Sequence, residues 1–284
     1  MTDIRPAPRA AVELRRRVVS GVVMIAAALL AALLGGLVFA VFWTAAGIAV
    51  GVEWAWLAAS EPRARRWSAR FVAVTLGAGG ALVALSSILS IAPWMVVAVL
   101  CFGAAAAAIA AYPAWVAAFG ALYGAAVFIG AIVLRRDPAD GLLAVFWLFA
   151  VVWATDIVAY FTGRALGGPK LAPRISPNKT WSGALGGALA GTAAGTAVAA
   201  CGGVAALLPV AIVSLAASVA SEFGDLFESG AKRAFGAKDS SQLIPGHGGL
   251  MDRLDGFLVA ATLAAIIGLT RGGFDAAGQG LLRW

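Results

Sequence analysis

The chain has 284 residues, 62% of them hydrophobic and 12% charged, and carries a net charge of +7; an average soluble domain is roughly 25% charged. This balance excludes a sizeable soluble domain, and apolar runs that are continuous rather than alternating exclude a membrane β-barrel. The positive charge is distributed between apolar runs as in a membrane protein, so no nucleic-acid partner is expected.

A basic arm at residues 1–17 precedes the first of nine predicted spans, at 18–34. Arg15, Arg16 and Arg17 before an apolar run resemble the start of a signal peptide. No small-x-small cleavage site follows, so the segment reads as a retained anchor. The other spans fall at 37–58, 71–90, 94–111, 115–134, 142–161, 183–201, 207–227 and 256–269. Several are shorter than the ~20 residues a perpendicular helix needs. The expected fold is an all-α integral membrane protein of about nine transmembrane helices. Its N-terminal helices cover 18–134, and a C-terminal catalytic region covers 135–284.

Glu53 lies near the inner end of the second span, flanked by Trp54 and Trp56, and reads as interfacial. Cys101 and Cys201 fall in apolar segments and read as packing residues, without the clustering of a disulfide or zinc site. In the seventh span Gly183, Gly187, Gly191 and Gly195 recur at one helical turn, a groove that lets another helix approach closely.

Placing the N-terminus in the cytoplasm sorts the charges. Five Lys/Arg fall in the arm and four in each of the segments 63–70, 164–179 and 232–253, which puts 17 of 21 inside. Arg135, Arg136, Arg271 and Arg283 remain outside, the first two offset by Asp137 and Asp140. Both large polar loops then face the cytoplasm.

Residues 228–255 form a dense polar and glycine-rich block in an otherwise apolar chain. Charge beside a bilayer is costly, and groups kept there usually serve chemistry or ions. Glu222, Asp225 and Glu228 spiral over the end of the eighth span, with Asp225, Ser229 and Lys232 nearer one face. Asp252 and Asp255 open the ninth. Acids at the end of one helix and the start of the next can face each other across the returning loop. Magnesium suits such a site, being held by one or two carboxylates plus substrate phosphates. The alternative is a solvated rim in which these acids pair with Lys232, Arg233 and Arg253.

Between them, Gly246, Gly248 and Gly249 surround the only histidine, His247. The segment suits a phosphate cradle and equally a tight re-entrant turn. His247 reads as a hydrogen-bond donor, with general base as the other reading. Upstream, Asp156 and Tyr160 share a face, and Arg164, Lys170, Arg174 and Lys179 follow. Buried Asp156 would need a base or a metal, whereas the bases would also suit lipid headgroups. No GxxxxGK[ST] loop, HExxH, CxxC or nucleophile elbow is present.

These residues resemble the phosphatidate cytidylyltransferases, or CDP-diacylglycerol synthases. The family signature S-x-x-K-R-x(4)-K-D, then P-x-H-G-G, then D-R-x-D is matched here. Ser229, Lys232, Arg233, Lys238 and Asp239 fill its first part, Pro245, His247, Gly248 and Gly249 its second, and Asp252, Arg253 and Asp255 its third. Asp156, Ala159, Tyr160, Gly163 and Arg164 resemble the family's D-x-x-A-Y-x-x-G-R stretch, and Ser176, Pro177, Lys179 and Thr180 its S-P-x-K-T stretch. The likeness covers residues 153–256. Ser182 departs from it, standing where the family leads one to expect a carboxylate or glutamine.

The resemblance implies transfer of cytidylyl from CTP to phosphatidic acid, giving CDP-diacylglycerol and pyrophosphate for phospholipid synthesis. It implies Mg²⁺ on Asp225 and Asp252, with Asp156 and Asp255 in or near the coordination sphere; a second cation and a homodimer are compatible with it. Lys232, Arg233, Lys238 and Arg253 would bind the triphosphate. His247, Gly248 and Gly249 would hold phosphate oxygens, and Ser176 and Lys179 would contact substrates, as would Ser229 and Asp239. Arg164 and Lys170 would lie nearer the lipid headgroup. The expected location is the inner membrane, with the site facing the cytoplasm. The rivals are another membrane CTP-dependent lipid enzyme, such as a polyprenol kinase, and, more remotely, an ion-coupled transporter.

Overall fold

Gly35, at φ +61°, ends α1 (Ala7–Leu34) by donating its N–H to Ala31 O at 2.9 Å, and the chain turns at once into α2 (Gly36–Ala58). A side chain at Gly35 would be strained and would run into the Arg135 guanidinium. The computed structural model describes residues 7–89, 103, 114–244, 246 and 248–284. It continues with α3 (Pro62–Leu89), α4 (Ala114–Arg136), α5 (Gly141–Leu166), β1 (Lys170–Ala172) and β2 (Ser176–Thr180). Then follow α6 (Trp181–Cys201), α7 (Leu207–Ala234), α8 (Met251–Gly272) and the short α9 (Ala277–Leu282).

Eight of the nine expected spans fall on described helices, and the other, at 94–111, lies outside the described residues except for Gly103. Among the described residues seven helices (α1, α2 and α4 to α8) are long and apolar enough to cross a membrane. The chain is an all-α integral membrane protein. Several helices run past the hydropathy boundaries: α1 begins at Ala7 rather than 18, α3 at Pro62 rather than 71, and α5 ends at Leu166 rather than 161. α7 runs to Ala234 rather than 227, and α8 begins at Met251 rather than 256. Hydropathy marks where the hydrocarbon ends, whereas backbone hydrogen bonding carries a helix on into the polar zone. The segment after α5 folds as an antiparallel hairpin, pairing Lys170 with Thr180 and Ala172 with Ser176, where only a loop was expected.

The glycine stripe does what its spacing predicts. Gly183, Gly187, Gly191 and Gly195 are buried, and a Cβ at Gly187 would sit 2.8 Å from Thr155 O. α5 and α6 therefore meet backbone to backbone. Thr155 Oγ1 and Ser218 Oγ lie 2.6 Å apart, and Trp147 Nε1 donates to Ser214 Oγ at 2.9 Å, so α7 is tied to α5 by small polar contacts in the bundle interior. Trp43 of α2 stacks on Phe257 of α8 at 4.4 Å, joining N-terminal and C-terminal helices. α1 contributes little to this core: Val18, Val19, Val22, Val23, Leu30, Leu33 and Leu34 are exposed, as a lipid-facing surface should be.

At the end of the bundle where α4 runs into α5, Asp137 and Asp140 stand close to Arg135 and Arg136 in sequence and take partners from the C-terminal segment. Asp137 accepts the N–H groups of Ala139 (2.8 Å), Asp140 (3.2 Å) and Gln279 (2.7 Å), while Asp140 takes Arg283 in a fork at 2.8 and 2.9 Å. Arg135 donates to Ala32 O at 2.8 Å, and Arg136 reaches Asp275 at 3.5 Å. The acids thus hold α9 and the C-terminus, because Gln279 and Arg283 reach them from 142 and 143 residues away in sequence.

Candidate active site

The polar residues gather at the opposite end of the bundle, where α5 stops, α7 stops and α8 starts. α7 carries Glu222, Asp225, Glu228 and Lys232 on successive turns, and the first turns of α8 carry Asp252 and Asp255. Gly224 and Gly256 let α7 and α8 close on each other there: a Cβ on Gly224 would run into Asp255 O, and one on Gly256 would run into Ser221 Oγ. β2 crosses below, so that Lys179 meets Asp225 Oδ2 at 2.5 Å, with Ser229 Oγ donating to Asp225 Oδ1 at 3.3 Å. Asp156 of α5 and Asp255 of α8 each feel the charge of Asp225 and Lys179.

Lys232 serves two buried carboxylates, Glu228 Oε2 at 2.6 Å and Asp252 Oδ1 at 2.7 Å. Asp252 is also the anchor of the glycine loop. It accepts Gly249 N at 2.8 Å, Ser240 N at 3.1 Å and Ser240 Oγ at 3.0 Å. Gly248, at φ +83°, would bring a Cβ to 2.9 Å from Asp252 Oδ2. In this loop the glycines make room for carboxylates, and the N–H of Gly249 is already given to Asp252. His247 and Pro245, on which part of the cradle reading rested, lie outside the described residues.

Glu53 is not the interfacial side chain its tryptophan neighbours suggested. It is 5% exposed and accepts hydrogen bonds from Ser241 Oγ, Leu250 N and Met251 N, reaching the loop from α2. No local signal marks it, since its partners lie 188 to 198 residues downstream. Ser182 donates to Gly167 O at 2.5 Å, beside Thr180, whose Oγ1 caps α6 by accepting Gly183 N at 3.1 Å. The residue standing in place of the expected carboxylate thus ties the α5 exit to the start of α6.

A cavity of about 1560 Å³ opens among these groups. Its polar part is lined by Asp156, Arg164, Lys170, Lys179, Thr180, Asp225, Lys232, Asp239, Asp252, Arg253 and Asp255, together with Glu222 and Asn178, which the motifs did not single out. Its apolar part runs between α1, α2, α5 and α8 over Val23, Met24, Ala27, Phe42, Trp43, Phe149, Trp153 and Phe257. Arg233 and Lys238 are exposed and do not line it; Arg233 Nη1 donates to Ala237 O at 3.0 Å, near the end of its own helix. Ser176 begins β2, and neither it nor Ser229, Gly248 or Gly249 borders the space.

Among the described residues no three of His, Cys, Asp or Glu converge into a ready-made metal cage. Mg²⁺ does not ask for one, because it keeps waters and binds through one or two carboxylates and substrate phosphates. Asp156, Asp225 and Asp255 face the cavity from three helices and fit that donor chemistry. Asp252, saturated by Lys232, Ser240 and Gly249, fits it less well.

Comparison with known proteins shows the family of the chain. The sequence profile of the cytidylyltransferase family matches residues 15–270. Proteins named phosphatidate cytidylyltransferase from Brucella abortus and Brucella melitensis are 41% identical over 260 residues, 90% of this chain and 93% of theirs. One of the same name from Haemophilus influenzae is 38% identical over 130 residues, 44% of this chain and 45% of its own.

Proposed function

The chain belongs to the cytidylyltransferase family, and on that premise we propose that it transfers cytidylyl from CTP to phosphatidic acid, forming CDP-diacylglycerol and pyrophosphate. The observation that carries the substrate pair is a cavity that is charged at one end and lined by aromatic and aliphatic side chains at the other. A soluble polyphosphate fits the first part, and the glycerol and acyl chains of a lipid fit the second.

In the reaction an oxygen of the lipid phosphate attacks the α-phosphorus of CTP. A new P–O bond forms, the bond from the α-phosphorus to the α–β bridging oxygen breaks, and pyrophosphate leaves with that electron pair. A phosphate monoester, with a second pKa of about 6, is largely dianionic near neutrality, so no strong base is required. What the protein must supply is alignment of two anions and relief of their repulsion.

Lys179, Lys232 and Arg253 border the polar part of the cavity and would bind the triphosphate and the departing pyrophosphate. Arg164 and Lys170, on the α5 end and β1, would hold the lipid phosphate; Arg164 Nη1 donates to Tyr160 Oη at 3.0 Å, which orients it. Mg²⁺ would be held by Asp225 with Asp156 and Asp255, and when bound it would neutralise phosphate charge and fix the triphosphate. Asp252 would act by placing Lys232.

We place the site on the cytoplasmic face of the inner membrane. Supporting this, the arm and the segments 63–70, 164–179 and 232–253, which the charge bias assigns to the cytoplasm, hold 17 of the 21 basic residues. The test is incubation of purified protein with CTP, phosphatidic acid and Mg²⁺, with product identification. Equimolar CDP-diacylglycerol and pyrophosphate are expected; CDP as the nucleotide product would refute cytidylyl transfer.

A further inference from the structure

Glu53 belongs to the N-terminal helices, outside the motif residues named above, yet its carboxylate is turned to the loop that precedes α8. Oε2 accepts Met251 N at 2.6 Å and Ser240 Oγ at 3.4 Å; Oε1 accepts Leu250 N at 3.0 Å and Ser241 Oγ at 2.5 Å. Leu250 and Met251 open α8, where helix N–H groups have no partner within the helix and where the dipole favours an anion. α8 has no cap of its own, since Leu250 makes no side-chain capping bond. The fit is close. A Cβ on Gly249 would fall 2.8 and 2.9 Å from the two Glu53 oxygens, so only glycine admits this carboxylate.

The consequence runs through a chain of contacts. Glu53 fixes the start of α8 and Ser240; Ser240 and the helix start fix Asp252; Asp252 fixes Lys232 in the cavity. We propose that Glu53 is a positioning residue for the transfer reaction, a buried anion from the N-terminal helices that caps α8 and holds the Ser240–Asp252–Lys232 array in register. This rests on the cytidylyl-transfer reading for its kinetic test. It has an independent structural test as well.

Each carboxylate oxygen faces a backbone N–H, Leu250 at Oε1 and Met251 at Oε2, so Glu53→Gln, equal in size, must turn an NH₂ toward one of them. Losses on the order of 10–100-fold are typical when a group that orients an active-site residue is removed. We expect kcat for CDP-diacylglycerol formation to fall at least tenfold in Glu53→Gln, while KM for CTP and for phosphatidic acid each change less than about threefold, since Glu53 touches neither substrate. Glu53→Asp, which keeps the charge, should recover part of the loss. By hydrogen exchange, the amides of Ser240, Ser241 and 248–251 should exchange faster in Glu53→Gln while those of α6 stay unchanged.

Ser241→Ala deletes one donor from a half-buried loop position and serves if the Glu53 variants do not fold; a smaller fall in kcat at constant KM is expected. A wild-type kcat in Glu53→Gln, or in Ser241→Ala where that variant stands in, overturns the proposal. So does a uniform rise in exchange across α2 and α6, which is the mark of a purely structural residue. A wild-type protein that forms no CDP-diacylglycerol would refute the functional reading instead, and the exchange result would then decide on Glu53 alone.

Discussion

Replacing Lys232 with Met exposes how much of the site depends on one ammonium group. Its side chain is 12% exposed and lies 2.6 Å from Glu228 and 2.7 Å from Asp252, whose side chains are 0% and 8% exposed. Asp252 retains three other donors from Ser240 and Gly249. Glu228 has no other hydrogen-bond donor among the described residues. Removing one partner of a buried ion pair typically costs about 3–5 kcal/mol, chiefly because the other charge is left uncompensated. Most of that cost should therefore fall on Glu228. Adding Glu228→Gln to Lys232→Met should return at least half of the lost stability, measured as the fraction monodisperse after heating in detergent. Turnover should stay low in both variants, below a hundredth of wild type, because Lys232 also borders the substrate cavity. A double variant no more stable than Lys232→Met would refute the reasoning. Recovery of turnover along with stability would refute the catalytic placement of Lys232.

Asp225→Asn should lower turnover more than tenfold, about 1.4 kcal/mol or more, and raise the Mg²⁺ concentration for half-maximal rate; an unchanged Mg²⁺ dependence would remove Asp225 from the donor set. Cysteines placed in the Ser176–Thr180 strand and at Lys238, in a background lacking Cys101 and Cys201, should resist impermeant thiol reagents in intact cells and react once the cells are opened. Labelling in sealed cells would invert the topology. Asp137, outside the spans, is buried, which alone would raise its carboxyl, but the N–H groups of Gln279, Asp140 and Ala139 hold it below the ordinary carboxylate range. With a depressed folded value, its stabilisation is present above the unfolded pKa of about 3.9 and is lost as pH falls through the folded value. Asp137→Asn should thus be less stable at pH 7, by about 1.5–3 kcal/mol if the charged bonds are lost, with the gap closing in acid. A gap that is constant with pH would contradict this.

The spans, the glycine stripe and the acids at the helix ends were legible in the sequence, because each rests on local chemistry. Hydrocarbon thickness sets the length of an apolar run, helix pitch sets the four-residue spacing of Gly183 to Gly195, and the cost of intramembrane charge makes Asp156, Asp225 and Asp255 conspicuous. The motif spacings carried the family in the same way. What depends on distant segments meeting was hidden. Lys179 pairs with Asp225 only because β2 turns under α7. Arg233 and Lys232 are adjacent and chemically alike, and only the helix phase sends one toward Ala237 and the other into the cavity. Asp140 follows two arginines within five residues, yet it holds Arg283 from the far end of the chain. Glu53 sat between two tryptophans as an interfacial residue would. Its role exists only where α2 packs against the start of α8, since a helix end takes its cap from whichever segment the fold brings within reach.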